Sequence, residues 1–345
     1  MADYDLFNGD ADGICSLVQL RLAEPRNSTL ITGIKRDIKL MGHIRPEAGD
    51  RITVLDVSME KNQKGLHAAL EAGATVFYAD HHQSGDIPDH PALSAHINTA
   101  SNTCTALIVD YYLKGKYRDW AIVAAYGDNI TQVAEELANQ AGYNSAQKLM
   151  LEQLGVGMNY NGYGASLDDL FYHPAELFRI AVQYDSPFDM IETRQDVYRT
   201  LTVGYQEDMD KGLSIVPYRE THPGEEKGAA MMILPNEQWA RRISGVLGNE
   251  LANQYPDRAH AILTEREEQV DGKPTYLVSI RAAKNNLVGA DTIAVKFGGG
   301  GRKGIVMHYW PELDKFFNNI QSHLHDDLPY GQKLSAFSDH FPFFE

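Results

Sequence analysis

The stretch "YADHHQSG", Tyr78 to Gly85, runs an acid straight into two histidines, Asp80, His81 and His82, after the apolar run Ala74–Tyr78. Carboxylate and imidazole side by side are the donors of a divalent-cation site, yet the triplet alone would suit a solvated turn equally well. Its weight comes from acids elsewhere. "FNGDADG" supplies Asn8, Asp10 and Asp12, "VLDVS" supplies Asp56, and "YGDN" supplies Asp128. Each has a plain structural alternative. "GDADG" could be only a turn, and Asp56 and Asp128 could each cap the helix that follows. What the acids share is position, since each falls where a strand or helix is predicted to end. A carboxylate and imidazole set without thiolate suits manganese, or magnesium or cobalt. Two such ions about 3.5–4 Å apart would share a carboxylate and activate water between them. Cys15 is read as core, because a free cysteine usually behaves as a small buried hydrophobe.

The elements that must position these groups follow from hydrophobic patterning. "YDLF", "TLITGI", "RITVLDVS" and "TVFYADHH" read as strands, with "SAHINTA" as a further candidate. "ICSLVQLRL" and "KNQKGLHAALEAG" between them have helical spacing, and "SNTCTALIVDYYLKG", "DWAIVAAYGDN" and "TQVAEELANQ" continue as helices. Apolar, β-branched strands alternating with helices predict a parallel α/β sheet covered on both faces. In such a sheet the strands end at one edge, and ligands bind there. Asn8, Asp10, Asp12, Asp56, Asp80, His81, His82 and Asp128 are therefore expected to converge. Residues 142–205 read as helices and loops. From about Lys211 the pattern changes to a smaller α+β region, with hairpins expected between "LSIVPYRE" and "GAAMMILP" and between "AHAILTERE" and "TYLVSIRA". "EQWARRISGVLGNELANQ" is an amphipathic helix, "ADTIAVKF" is a predicted helix, and "GGGG" follows at Gly298–Gly301.

Bulk properties narrow the partners. A chain of 345 residues suggests about two domains. Two cysteines make no disulfide framework and fit a reducing cytosol. "MADYDLFNGDADG" has no apolar signal region, and no apolar run is long enough to span a bilayer, so a cytoplasmic protein with no membrane partner is expected. A formal net charge of −16 argues against stable binding to duplex nucleic acid, which requires many basic residues to displace condensed counterions.

Taken together, the motifs resemble those of the DHH family of phosphoesterases, whose name is the triplet Asp80-His81-His82. "FNGDADGICS" is similar to the first family motif, "LDVS" to the second, "YADHHQSG" to the third and "YGDN" to the fourth. "YLVSIRA" and "FGGGGRKG" resemble the DHH-associated domain of the nanoRNase and RecJ-like superfamily. The resemblance implies a parallel-sheet catalytic domain with a helical linker, residues 1–210, joined to a smaller substrate-binding α+β domain, residues 211–345. It implies that Asp10 binds one metal and Asp12 the other, that Asp56 bridges them, and that His81 and Asp128 complete the second site. His82 would contact the scissile phosphate, and Asp80 would orient a histidine.

The chain departs from the family pattern in two places. Leu6 stands where many members have histidine, and Asn8 stands where RecJ-type exonucleases have aspartate. Asparagine offers a carbonyl oxygen without charge, which weakens the expected first metal site. After the glycines, Arg302 and Lys303 stand where histidine is common. Gly298, Gly299, Gly300 and Gly301 with Arg302 form a candidate anion site, because glycine lets backbone N–H groups approach a phosphate, and Arg281 is a second candidate. The implied activity is hydrolysis of short oligonucleotides or dinucleotides to nucleoside monophosphates by two-metal activation of water, by a protein that could be a homodimer. The alternatives are a RecJ-like single-strand exonuclease and a nucleotide-binding regulator with a degenerate site.

Overall fold

The computed structural model describes residues 1–221, 228–270, 272–287, 290–296 and 305–307, together with Leu313, Lys315, Phe317 and Asn318. The chain forms two compact units, Met1–Glu207 and Asp208–Glu345.

The first unit is built on five parallel strands, β1 (Asp3–Phe7), β2 (Thr29–Ile31), β3 (Arg51–Leu55), β4 (Thr75–Asp80) and β5 (Leu93–Ile97), in the order β2-β1-β3-β4-β5. Alternate strand residues enter different cores. Phe7, Leu55 and Ala79 pack with helices α1 (Ala11–Ala23), α3 (Thr105–Tyr112), α4 (Arg118–Gly127) and α6 (Ser145–Asn161). Their neighbours Leu6, Val54 and Tyr78 pack on the opposite face with α2 (Met59–Glu71) and a 3-10 turn at Leu40–His43. The near-continuous apolar strands thus reflect a sheet buried on both sides. Helices α5 (Thr131–Gln140), α7 (Pro174–Ala181), α8 (Pro187–Thr193) and α9 (Gln195–Leu213) complete the helical region.

The start of α1 differs from the sequence expectation. Helix α1 begins at Ala11, so only Asn8, Gly9 and Asp10 form the connection from β1 and Asp12 lies in the first helical turn. Asp10 is the N-cap, its side chain accepting the Gly13 N–H at 3.1 Å. Capping satisfies one of the free N–H groups of the first turn, and this starts the helix before the apolar periodicity does. Gly9 makes the tight connection possible, since a Cβ there would collide with the Gly33 carbonyl oxygen. Neither Asp56 nor Asp128 serves as the cap considered from sequence: Ser58 is the N-cap of α2, Ile130 that of α5, and Asp128 sits at the C-cap of α4.

The second unit contains β6 (Arg219–Glu220), β7 (Gly228–Leu234), α10 (Gln238–Gln254), β8 (Arg258–Val270), β9 (Lys273–Arg281), α11 (Ala290–Lys296) and β10 (Ile305–Met307). Its mixed sheet has the order β10-β9-β8-β7-β6, with β7 and β8 parallel and the other pairs antiparallel. The two expected hairpins are present, although β6 keeps only two residues of "LSIVPYRE". One sheet face, with Met231, Ala261, Leu263 and Val278, packs on Ile293 and Phe317; helix α10 packs on β8 and β9. Among the described residues, no helix is long and apolar enough to cross a membrane.

Candidate metal centre

The C-terminal ends of β1, β3 and β4 deliver the expected side chains to one place, joined by the end of α4. From β1 come Asp10 and Asp12, both buried. The Asp12 carboxylate accepts the backbone N–H groups of Thr105 and Ala106, at 2.8 and 2.7 Å, and so fixes the first turn of α3 beside the site. From β3 comes Asp56, buried and held in the left-handed region at φ 56°. Aspartate tolerates that region better than most residues, and non-glycine backbone of this kind concentrates at functional sites. The Thr105 hydroxyl donates to Asp56 Oδ1 at 3.3 Å. From β4 come Asp80, fully buried, and the two histidines just beyond it.

His81 is the meeting point. Its Nε2 lies 3.4 Å from Asp56 Oδ1, 3.6 Å from Asp128 Oδ2 and 3.8 Å from Asp12 Oδ2. His82 Nδ1 hydrogen-bonds Asp80 Oδ1 at 2.8 Å and lies 3.7 Å from Asp56 Oδ1. Among the described residues, two triads have ligand atoms close enough to share an ion, Asp12–His81–Asp128 and Asp56–His81–His82. The side chain of His82 is 40% exposed against 21% for His81, so His82 is the more open of the pair to an incoming substrate.

No family model and no curated protein matches the chain. Solved structures do match it. A crystal structure of the exonuclease RecJ bound to manganese aligns over 99% of this chain and 91% of its own, at TM-score 0.54 and 14% identity. The fold is that of RecJ. A RecJ–Mn²⁺ complex from Thermus thermophilus gives TM-score 0.54 and 14% identity over 98% of this chain, which spans 57% of that longer protein. The pGpG-specific phosphodiesterase PggH from Vibrio cholerae matches over 93% of this chain and 98% of its own, at TM-score 0.51 and 14% identity.

The electrostatics of this RecJ-like sheet edge test whether a divalent ion would fit. Burial pushes the Asp56 carboxyl well above its ordinary range, and the negative charges of Asp12, Asp10, Asp128 and Asp80 push it further. Asp128 is raised to about 6, by burial and then by Asp12 and Asp10, against the opposing pull of Lys35 and His81. The hydrogen bond to Asp80 raises His82. Acids forced together out of water until they hold protons form a site that a cation would discharge. Two buried oxygens, Asn8 Oδ1 and Asp80 Oδ2, have no hydrogen-bond partner. The residues present therefore fit a hard divalent cation with mixed oxygen and nitrogen donors.

Sequence reasoning missed Lys35. Its Nζ lies 2.7 Å from Asp10 Oδ2 and 3.6 Å from Asp128 Oδ1, and donates to Asn159 Oδ1 at 2.7 Å. Burial works to lower its pKa, but Asp10 and Asp128 outweigh it and hold the ammonium charged. Burial likewise works to raise Asp10, and Lys35 keeps that carboxyl below its usual range. Nothing in "ITGIKRD" marks the lysine, because its partners lie at positions 10, 128 and 159. Asn8 is buried beside it, its amide donating to the Lys35 carbonyl oxygen at 3.4 Å.

The expected substrate contacts lie in the other unit. Arg281 donates from Nε to Asn249 Oδ1 at 2.6 Å and from Nη2 to the Gly245 carbonyl at 3.3 Å, bonds that lay its guanidinium against α10. Gly298, Gly299, Gly300, Gly301 and Arg302 fall outside the described residues.

Proposed function

We propose that the chain is a DHH-type, divalent-metal-dependent phosphodiesterase that hydrolyses dinucleotides or short oligonucleotides to nucleoside monophosphates. The observation that carries this reading is the convergence of Asp12, Asp56, His81 and Asp128 on one sheet edge, with His82 beside them, in a fold shared with RecJ and PggH. A bound manganese or magnesium ion would polarise the phosphate and lower the pKa of a water. The protein's own groups do the positioning. Asp12, Asp56, His81 and Asp128 would hold the ion, and Asp80 orients His82 through its Nδ1, leaving the rest of an open imidazole for the scissile phosphate. The net charge of −16 favours a small anionic substrate drawn to a local cation over a long polyanion.

Selectivity for a dinucleotide requires contacts remote from the reacting phosphate. We assign these to Gly298–Gly301 and Arg302, with Arg281 as second candidate. Arg302→Ala should lower turnover of a dinucleotide about tenfold, or about 1.4 kcal/mol, while sparing a small ester such as bis-p-nitrophenyl phosphate. An equal loss on both would give Arg302 a structural role instead.

The activity test is incubation of the full chain in manganese with pGpG, with RNA oligomers of a few nucleotides and with long single-stranded DNA. Release of monophosphates from the short substrates supports the proposal. Degradation confined to the long strand would make the protein a RecJ-like exonuclease. Nucleotide binding without turnover would make it a regulator with a degenerate site.

A further inference from the structure

The two triads that could hold an ion are not independent, because both pass through His81. That histidine faces Asp12, Asp56 and Asp128 through the same nitrogen, Nε2. A neutral imidazole nitrogen has one lone pair and ligates one ion. His81 can therefore complete one triad at a time, and the two cannot both be filled through it. A second ion would have to be held without His81, by sharing Asp56 or Asp128 with the first and by Asp10, which lies in neither triad.

Asp10 already faces a cation. Lys35 Nζ sits 2.7 Å from its Oδ2. The same ammonium lies 3.6 Å from Asp128 Oδ1, whereas the other oxygen of Asp128 faces His81 at 3.6 Å. Asp128 thus separates two positive positions, one at His81 and one at Lys35. The lysine is anchored at both ends to the end of α6: its Nζ donates to Asn159 Oδ1 at 2.7 Å, and its backbone N–H donates to the Gly162 carbonyl at 2.8 Å. The Tyr163 ring also lies 5.7 Å from the ammonium. A divalent ion on the same face of Asp10 would meet that ammonium at contact distance in a poorly solvated place, where like charges repel strongly.

We propose that the Lys35 ammonium occupies the cation position beside Asp10, so that the centre takes one divalent ion, at His81, Asp12, Asp128 and Asp56, in place of a pair. This rests on the metal-centre reading above and deepens it. Lys35 becomes a fixed positive charge beside Asp10 and Asp128, and it needs no metal to be present.

The test counts ions. Metal-free full-length protein is dialysed against manganese, bound metal is measured by mass spectrometry, and the electron paramagnetic resonance spectrum of the bound ion is recorded. The wild-type chain should hold one ion with the signal of isolated Mn²⁺. Lys35→Met should hold two, with the broadened signal of a spin-coupled pair, and Lys35→Arg should return to one. Two ions in the wild type would overturn the assignment of Lys35 and leave the metal centre standing. One ion in both the wild type and a folded Lys35→Met would overturn it as well. No bound ion in the wild type at millimolar manganese would overturn the metal centre itself, and this inference with it. If Lys35→Met fails to fold, the wild-type count decides alone.

Discussion

Two buried clusters of charge sit in the same unit and are built differently. On β1, Asp5 accepts Arg21 Nε and Nη2 at 2.7 and 2.6 Å and also the Ser28 hydroxyl. Arg21 also donates to Thr53 Oγ1 and to the Glu24 carbonyl. Charge is balanced one to one, and the forked geometry satisfies both carboxylate oxygens. A few residues beyond the end of that strand the balance fails. Asp10, Asp12, Asp56, Asp80 and Asp128 crowd together with one lysine and two histidines, and two of the acids are driven toward protonation. The first cluster is complete in itself. The second is incomplete, and its surplus of acids is the feature on which the proposed cation site rests. Burial of charge alone would not separate structural from functional acids; the count of compensating partners does.

Four substitutions break or sharpen that contrast. Asp56→Asn should have the largest effect. Asparagine tolerates the left-handed backbone at this position, so the fold is kept while the charge is lost. Turnover in manganese should fall by about a thousandfold or more, as expected when several kcal/mol of cation-derived stabilisation is removed. Wild-type turnover would show that Asp56 is not a ligand. At the other cluster, Arg21→Ala should leave Asp5 buried without its partner and cost about 3–5 kcal/mol of stability, read as a lower denaturant midpoint. An unchanged midpoint would mean that the pair is solvated.

Asp80→Asn acts through His82 and should cost about 10–100-fold in turnover. Melting temperature should change little, because Asp80 Oδ2 has no hydrogen-bond partner to lose. An effect on stability with none on rate would reassign Asp80 to the fold. The smallest effect concerns pH. Asp128 titrates near 6 in the folded protein against 3.8 ordinarily, so the folded state binds more protons than the unfolded state between those values. Its contribution to stability therefore falls as pH rises through that window and is at its worst above about 6. Asp128→Asn should melt higher than the wild type in chelator at pH 7.5, with the gain shrinking as pH falls through 6. In excess manganese the order should reverse. A difference independent of both pH and metal would remove Asp128 from the cation site.

Much of this architecture can be read in local sequence. The apolar runs that become β1, β3 and β4 end at Asn8, Asp56 and Asp80, and a parallel sheet has only one edge at which such ends can meet. Where side-chain chemistry competes with hydrophobic period the reading fails. Asp10 caps α1 and draws Asp12 into the helix, although "GDADG" reads as loop. Partnerships across long separations leave no local trace. Asp12 is held by residues 105 and 106 of α3, and Lys35 by residues 10 and 128 and by 159 and 162 at the end of α6. Arg281 shows the converse. Its place in "VSIRA" reads as an anion contact, and the packed structure adds hydrogen bonds to α10 and to Ser279 and Ile280 that the local sequence does not show.

The grip of Asp12 on α3 also makes the centre observable from its surroundings. The amides of Thr105 and Ala106 point at the same carboxylate that faces His81, so any change in charge there alters the acceptor these amides bond to. Their nitrogen and proton resonances should move as the site loads, and their exchange with deuterated solvent should slow. The two amides would thus report on occupancy of the proposed cation site. They are independent of turnover and can be followed without a label at the site.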